Sequence, residues 1–483
     1  MSIAAIAEVS LPALLADHMV IQRDQPVHVW GIAAEHESVT VTFRGETQST
    51  AADELGRWSL YLLPGEAGGP FPLTVKASNT ITLQDVLVGD VWVASGQSNM
   101  EFPMTELSNA SAEIAAAQFP KIRIFMVEHR PADFPRADVE AKSWVACTPQ
   151  SVAKSSAIAY YFARELHQKL NIPFGLIETF WGGTPAESWT SLGALSADAS
   201  LMPVFARRND MVAEHESTVL QLQREEREYQ KAVTQAKAEG KPEPGRSWHP
   251  DFAAWAPAAL YNGMIAPLTH FPIRGAIWYQ GEANGGPTAP LYGRQLETLI
   301  RDWRHAWDVG DFPFLIVQLA NWETSPDGLW PEVREGQRKA LALKNTAMAV
   351  TIDIGDAVDI HPKDKRDVGL RLALGARAVA YGEKIEWSGP LYRQLTREEH
   401  ALRVWFDHAN GLGAKGGPLV GFEVAGADGK FVTAEATIDG ATVVVSNAQI
   451  KEPVSVRYAW AANPTCNLYN REGLPASPFR ALE

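Results

Sequence analysis

"VWVASGQSNM", residues 91 to 100, carries five mostly apolar residues straight into a small polar turn. Such a run reads as a buried strand, and one that ends on Gly96, Gln97, Ser98 and Asn99 presents a hydroxyl and two amides instead of more core. Further apolar runs follow at 122–127 (IRIFMV), 174–180 (FGLIETF), 273–279 (IRGAIWY), 313–319 (PFLIVQL) and 347–354 (AMAVTIDI). Helical patterns separate them. The clearest spans 155–170, where Ile158, Phe162, Leu166 and Leu170 recur every four residues; another follows His361, with Val368, Leu372 and Val379 as its stripe and Gly382 as its stop. Strand and helix alternating in this way predict an α/β fold, a parallel sheet with helices on both sides. In such sheets the ligand site lies at the carboxyl ends of the strands.

The chain of 483 residues exceeds what one core supports, so several domains are expected. Short alternating runs from Ser10 to Leu87 predict an N-terminal β domain over 1–87, followed by the α/β domain over 88–385. A C-terminal β domain over 386–483 follows, in which Asp439-Gly440 between "EATI" and "TVVVSN" signals a hairpin. Residues 213–239 are highly charged and helix-favouring until "GKPEPG" stops them, within an insertion of about 205–250. They read as a solvated arm, with a lid or a dimerisation arm as the functional alternative.

Hydrophobic content of 46% with 21% charged residues is that of an ordinary globular protein. The net charge of −14, without any Lys/Arg block, argues against nucleic-acid or membrane-surface partners, and no segment reaches transmembrane length. Sixteen tryptophans hint at carbohydrate. Cys147 and Cys466 are too few and too far apart for a disulfide framework or a CxxC metal cluster. The start, MSIAAIAEVSLPALLADHMV, lacks a leader pattern, so the expected location is cytoplasmic unless a signal peptide has been removed, when it is periplasmic or secreted. Oligomeric state stays open. "GLGAKGG" at 411–417 matches G-x-G-x-x-G, yet "PLVGFEV" follows in place of a helix, so it reads as a loop between strands.

The predicted strand ends deliver Ser98, "WGGTPAESW" (181–189), "YQGEAN" (279–284) and "DIGDAVDIHP" (353–362) to one rim. Acyl transfer needs such a set: a nucleophile, a base, a group orienting the base, and donors for the developing oxyanion. Ser98 is the candidate nucleophile, His361 the base, and Asp359 or Asp356 the orienting carboxylate. The backbone N–H groups of Ser98 and Gly183 and the Gln280 amide are the candidate oxyanion donors. "GQSNM" lacks the last glycine of the G-x-S-x-G elbow, which argues against an ordinary α/β-hydrolase. Asp353, Asp356 and Asp359 lack the glycine and terminal glutamate of a calcium loop. Glu187 and Glu282 would serve a glycosidase, but Ser98 and His361 would then be idle; Trp181 and Trp189 read as packing.

"GDVWVASGQSNMEFPM", "WGGTPAESWTS", "LYNGMIAPL", "AIWYQGEAN" and "DIGDAVDIHP" resemble the sialate O-acetylesterase family, a branch of the SGNH hydrolase superfamily. The likeness extends to "HMVIQRDQPVHVWG" near the start and "RYAWAANPTCNLYNREGLPASPFR" at the end. It implies a flavodoxin-like three-layer α/β/α domain flanked by β domains, hydrolysing O-acetyl groups on sugars without cofactor or metal. Ser98 matches the family's nucleophile and Gly183 its oxyanion glycine. Two departures stand out. The superfamily's third block supplies an Asn where this chain has Gln280-Gly281-Glu282, which makes Gln280 and Glu282 the substrate-binding candidates there. Its last block is D-x-x-H, but Val358 holds that position; alternation favours Asp359 over Asp356, with a backbone carbonyl as the third option. The implied partner is an O-acetylated carbohydrate, either sialic acid or a plant polysaccharide such as xylan, xyloglucan or pectin. A binding protein that has lost activity on the same fold is the alternative.

Overall fold

One strand of 17 residues, Thr80–Gly96, runs through two environments. Its first part alternates between exposed and buried and pairs antiparallel with Gly68–Lys76, as a strand with one wet face does. From Val86 onward every residue is buried, and the strand pairs in parallel with Phe174–Phe180 on one side and Gly275–Tyr279 on the other. The boundary expected at 87/88 therefore falls inside a continuous strand. The change of patterning near Val91 marks a change of neighbours, not a break in the backbone. The computed structural model describes residues 8–323 and 328–482; the first seven residues of MSIAAIAEVSLPALLADHMV lie outside them.

The central sheet is mixed. Its order is Thr346–Ala349, Phe314–Val317, Gly275–Tyr279, Thr80–Gly96, Phe174–Phe180, Phe119–Met126 and Val145–Cys147. All these pairings are parallel except the last. The strand Thr346–Ala349 stops short of the apolar run 347–354 because its partner ends opposite it, Val317 against Ala349. Ala157–Leu170 starts where Ser156 Oγ accepts the Ala159 N–H at 3.2 Å and ends on Asn171 in the left-handed region, φ 54°. It packs on Lys365–Val379, while Tyr292–Trp307 packs on Trp330–Lys339. Trp92 meets Phe162 at 5.0 Å and Trp278 meets Trp303 at 5.7 Å, so each helix pair is seated by an aromatic contact from the sheet.

One hydrophobic core extends from Val9 to Leu391, and a second, smaller one from Leu402 to Ala481 serves the C-terminal β region. There the Asp439-Gly440 turn joins Glu435–Asp439 to Thr442–Ser446, and the glycine-rich loop leads on to the strand Phe422–Ala425 without a helix. The charged stretch forms the helix His215–Ala238, preceded by the helix Met202–Ala213 and ended at Gly240 with φ +65°. Among the described residues no helix is long and apolar enough to cross a membrane.

Arg334 ties the segment after the strand Phe314–Val317 to the loop 461–462 of the C-terminal region. Fully buried, it donates to the carbonyls of Leu319, Ala320, Ala461 and Ala462 at 2.7–2.8 Å, and burial lowers its pKa to about 9, so it remains a cation near neutrality. Replacing it with Met leaves the carbonyls of the buried Leu319 and Ala320 without their donor. We expect Arg334→Met to cost on the order of 3 kcal/mol, read as a lower melting temperature by calorimetry; an unchanged melt would show that the four carbonyls find other partners.

Candidate active site

The site begins with three strand ends at one level. Gly96 lies in register with Phe180 on one side and Tyr279 on the other. Its φ of +138° suits glycine, and a β-carbon there would stand 2.1 Å from the Tyr279 carbonyl oxygen. Close approach lets Gln97 donate its N–H to that carbonyl at 3.0 Å and Trp181 donate to Gly96 O at 3.1 Å. The chain then turns into the short helix Ser98–Glu101. Gln97 Oε1 receives the N–H groups of Gly281 and Ala283 at 3.4 and 3.1 Å, which stitches the "YQGEAN" loop to the serine turn.

His361 reaches this turn from the other end of the sequence. Its Nε2 lies 2.8 Å from Ser98 Oγ. The three aspartates nearby have distinct partners. Asp353 forms a two-point ion pair with Arg371 at 2.7 and 2.9 Å, and Asp356 Oδ1 accepts the N–H groups of Val358 and Asp359 at 2.9 and 3.2 Å. Asp359 is the one at the imidazole: Oδ1 accepts the His361 backbone N–H at 2.9 Å and stands 3.7 Å from Nδ1. That separation permits a Coulombic influence but is too long for a hydrogen bond.

The remaining candidates divide. Gly183, at φ +73°, follows Gly182, whose β-carbon position would lie 3.3 Å from Ser98 Cβ, so this backbone rests against the serine. Glu101 Oε2 fixes it by accepting the Gly182 N–H at 2.6 Å. Gln280 is fully buried, and its amide nitrogen serves Asn284 Oδ1 at 2.7 Å, Thr184 O at 3.2 Å and Gln97 Oε1 at 3.3 Å. The structure does not bring Gln280 to the open face of the site. Glu282 likewise points to the scaffold, its Oε1 accepting from Asn99 Nδ2 at 2.6 Å. Glu187 belongs to a different buried network, with Asn284 and Gln295, so it does not pair with Glu282 across a gap. Trp189 is fully buried against Trp278, while Trp181 stacks on His129 at 4.4 Å. A cleft of about 710 Å³ opens over Ser98 and His361, walled by Phe102, His129 and Phe180.

Two residues behind the pair were given no role from the sequence. Asn99 Nδ2 also donates to the Ile360 carbonyl at 3.0 Å, and Lys365 Nζ donates to Asn99 Oδ1. Asn99 adjoins Ser98, so its turn was visible; Lys365 sits inside a helical pattern that carries no chemical signal. Burial pushes the Lys365 ammonium down to about 7 and raises the Glu282 carboxyl, while their mutual attraction opposes both shifts. His361 is held below the ordinary 6.5 first by burial and then by the Lys365 cation, with Asp359 and Glu106 working the other way. Near neutrality the imidazole is therefore uncharged and able to take a proton.

A hydroxyl held by a neutral imidazole at the carboxyl edge of a parallel sheet places the chain among ester hydrolases. Comparison with known proteins supplies the family. Residues 245–377 match the family model described as carbohydrate esterase, sialic acid-specific acetylesterase. The rat sialate O-acetylesterase is 32% identical over 96% of this chain and 93% of its own length, and the human one 30% identical over 96% and 91%. The crystal structure of a carbohydrate acetylesterase from Xanthomonas citri superposes with a TM-score of 0.85 at 38% identity, covering 98% of this chain and 99% of that one. The chain belongs to the sialate O-acetylesterase family of carbohydrate esterases, and it is an ester hydrolase.

The electrostatics give a signed expectation. A base with a lowered pKa keeps working as pH falls until protons bind it, so kcat/KM on an activated acetyl ester should decline along an acid limb centred below 6.5. Lys365→Met removes the cation that repels this proton. The acid limb should then move to higher pH; a limb that stays in place in the folded variant would show that Lys365 does not act on His361.

Proposed function

We propose that this chain removes O-acetyl groups from carbohydrates by two acyl transfers through an acetyl-Ser98 intermediate. The observation that carries the reading is the 2.8 Å contact between Ser98 Oγ and His361 Nε2. As Oγ attacks the acetyl carbonyl carbon, His361 takes the hydroxyl proton. The carbonyl oxygen becomes an oxyanion, for which the N–H groups of Ser98 and Gly183 are the proposed donors. Collapse breaks the bond to the sugar oxygen, and His361 returns its proton to that oxygen. Water then attacks the acetyl carbon of acetyl-Ser98 as His361 takes one of its protons; collapse breaks the acyl–Oγ bond, His361 returns the proton to Oγ, and acetic acid leaves and ionises to acetate.

Asp359 is proposed to orient the base, mainly by fixing the His361 main chain and by stabilising the imidazolium across 3.7 Å. The opposed contacts of Trp92 with Phe162 and of Trp278 with Trp303 support a three-layer SGNH arrangement. Trp278 pairs with Ser95 and Trp92 with Gly275, so the two indoles leave the sheet on opposite faces. The domain division expected from the patterning of the chain is proposed with it: β-rich regions before and after an α/β centre. An acetylated sialic acid and an acetylated plant polysaccharide are the substrate candidates. The names of the relatives favour the first, and the carbohydrate acetylesterase likeness admits both.

Ser98→Ala should lower acetate release by more than about 10⁴-fold while the protein remains folded; undiminished turnover would remove Ser98 from the mechanism. Asp359→Asn should lose about 10- to 100-fold, well short of the about 10⁴ seen where the carboxylate is bonded to the ring. A loss of the larger size would mean that the aspartate closes on Nδ1 during turnover.

A further inference from the structure

The charged arm has no part in the chemistry above. Val233 is the one buried residue of His215–Ala238, so the helix does little for the core. Its return loop is nevertheless held in place. Tyr229 donates its hydroxyl to Glu243 Oε1 at 2.7 Å, His249 Nε2 stands 2.6 Å from Glu225 Oε2, and Arg246 pairs with Glu226 and lies over the Tyr229 ring at 5.7 Å. These contacts fasten the loop to the helix at three successive points.

The fastened loop carries Trp248 onto Gly183. The indole is 63% exposed, yet its edge rests on Gly183, where a β-carbon would lie 2.4 Å from the ring. Trp255 completes the seat: its Nε1 donates to Gly183 O at 2.9 Å, its ring lies 6.3 Å from Trp248, and Arg207 sits 4.3 Å above it. Because Gly182 abuts Ser98, the exposed indole stands one glycine away from the candidate nucleophile's neighbour. A groove of about 880 Å³ runs from Trp248 along the helix past Tyr229.

An indole left this exposed fills no core, and the ordered loop that presents it gives up conformational freedom to do so. A flat apolar face with one polar tip, beside a site for acetyl esters, matches a sugar ring, which offers a face of C–H groups rimmed by hydroxyls. We propose that Trp248 is the platform on which the pyranose ring of the acetylated substrate stacks, and that the charged arm serves to hold it over Gly183. This rests on the esterase reading above. On it, Ser98 and His361 act on any acetyl ester that reaches them, and the arm supplies the preference for a glycan.

The test compares two probes, p-nitrophenyl acetate and whichever of acetylated xylan and an O-acetylated sialoglycan the wild type turns over faster. Trp248→Ala should raise KM on the glycan so that its loss in kcat/KM exceeds the loss on the small ester by about tenfold or more. Trp248→Phe should recover most of the difference, and Glu225→Gln with Glu226→Gln, which unfastens the loop, should reproduce part of it. Equal losses on both probes, or none on the glycan, would overturn the platform alone. Absence of acetate release from both probes by the wild type would overturn the esterase reading and this inference with it; release from p-nitrophenyl acetate but from neither glycan would overturn the platform alone.

Discussion

The site depends on three parallel strands ending at the same level with glycine at the central end. Gly96 stands between Phe180 and Tyr279, and only a residue without a side chain lets its backbone rest on the Tyr279 carbonyl. Because the strands end together, the segments that follow them start within hydrogen-bond reach of one another. The serine turn, the Gly182–Gly183 backbone and the "YQGEAN" loop are then locked by Gln97 and Glu101. A shift of one residue in either pairing would carry Ser98 and the glycines apart and turn each strand's faces over.

A second constraint is electrostatic. Burying a lysine and a glutamate is costly unless each finds a partner, and here Asn99 bridges them, accepting from Lys365 and donating to Glu282. The same amide holds the Ile360 carbonyl, one residue before His361. The buried pair thus does two things at once: it ties the histidine segment to the serine turn, and it places a positive charge where an extra proton on the imidazole is disfavoured. Glu282 therefore shapes the site from behind, although its position in the sequence suggested contact with substrate.

Much of this was legible in the residues. Continuous apolar runs located the parallel strands, and the polar turns after them pointed to Ser98, Gly183 and His361. What escaped was set by tertiary neighbours. The strand Thr80–Gly96 looked like two elements because its pattern changes where its surroundings change from half-wet to buried. Gln280 looked like a donor to substrate because it follows a strand, but its fully buried amide is consumed by Asn284 and Thr184. Alternation selected Asp359 over Asp356, and the structure puts Asp359 nearer the imidazole, yet at 3.7 Å with its bond made to the main chain. Trp248 carried no local signal, since nothing in "GRSWHP" says that the loop folds back over Gly183.

The central claim is that Ser98 carries the acetyl group between the sugar and water. Rapid-quench mass spectrometry during turnover of an activated acetyl ester tests it directly. The account predicts that the peptide containing Ser98 gains one acetyl mass within the first turnover, with fragmentation placing it on that residue. An acetyl group found on another residue, or acetate released with none ever appearing on the protein, would contradict it.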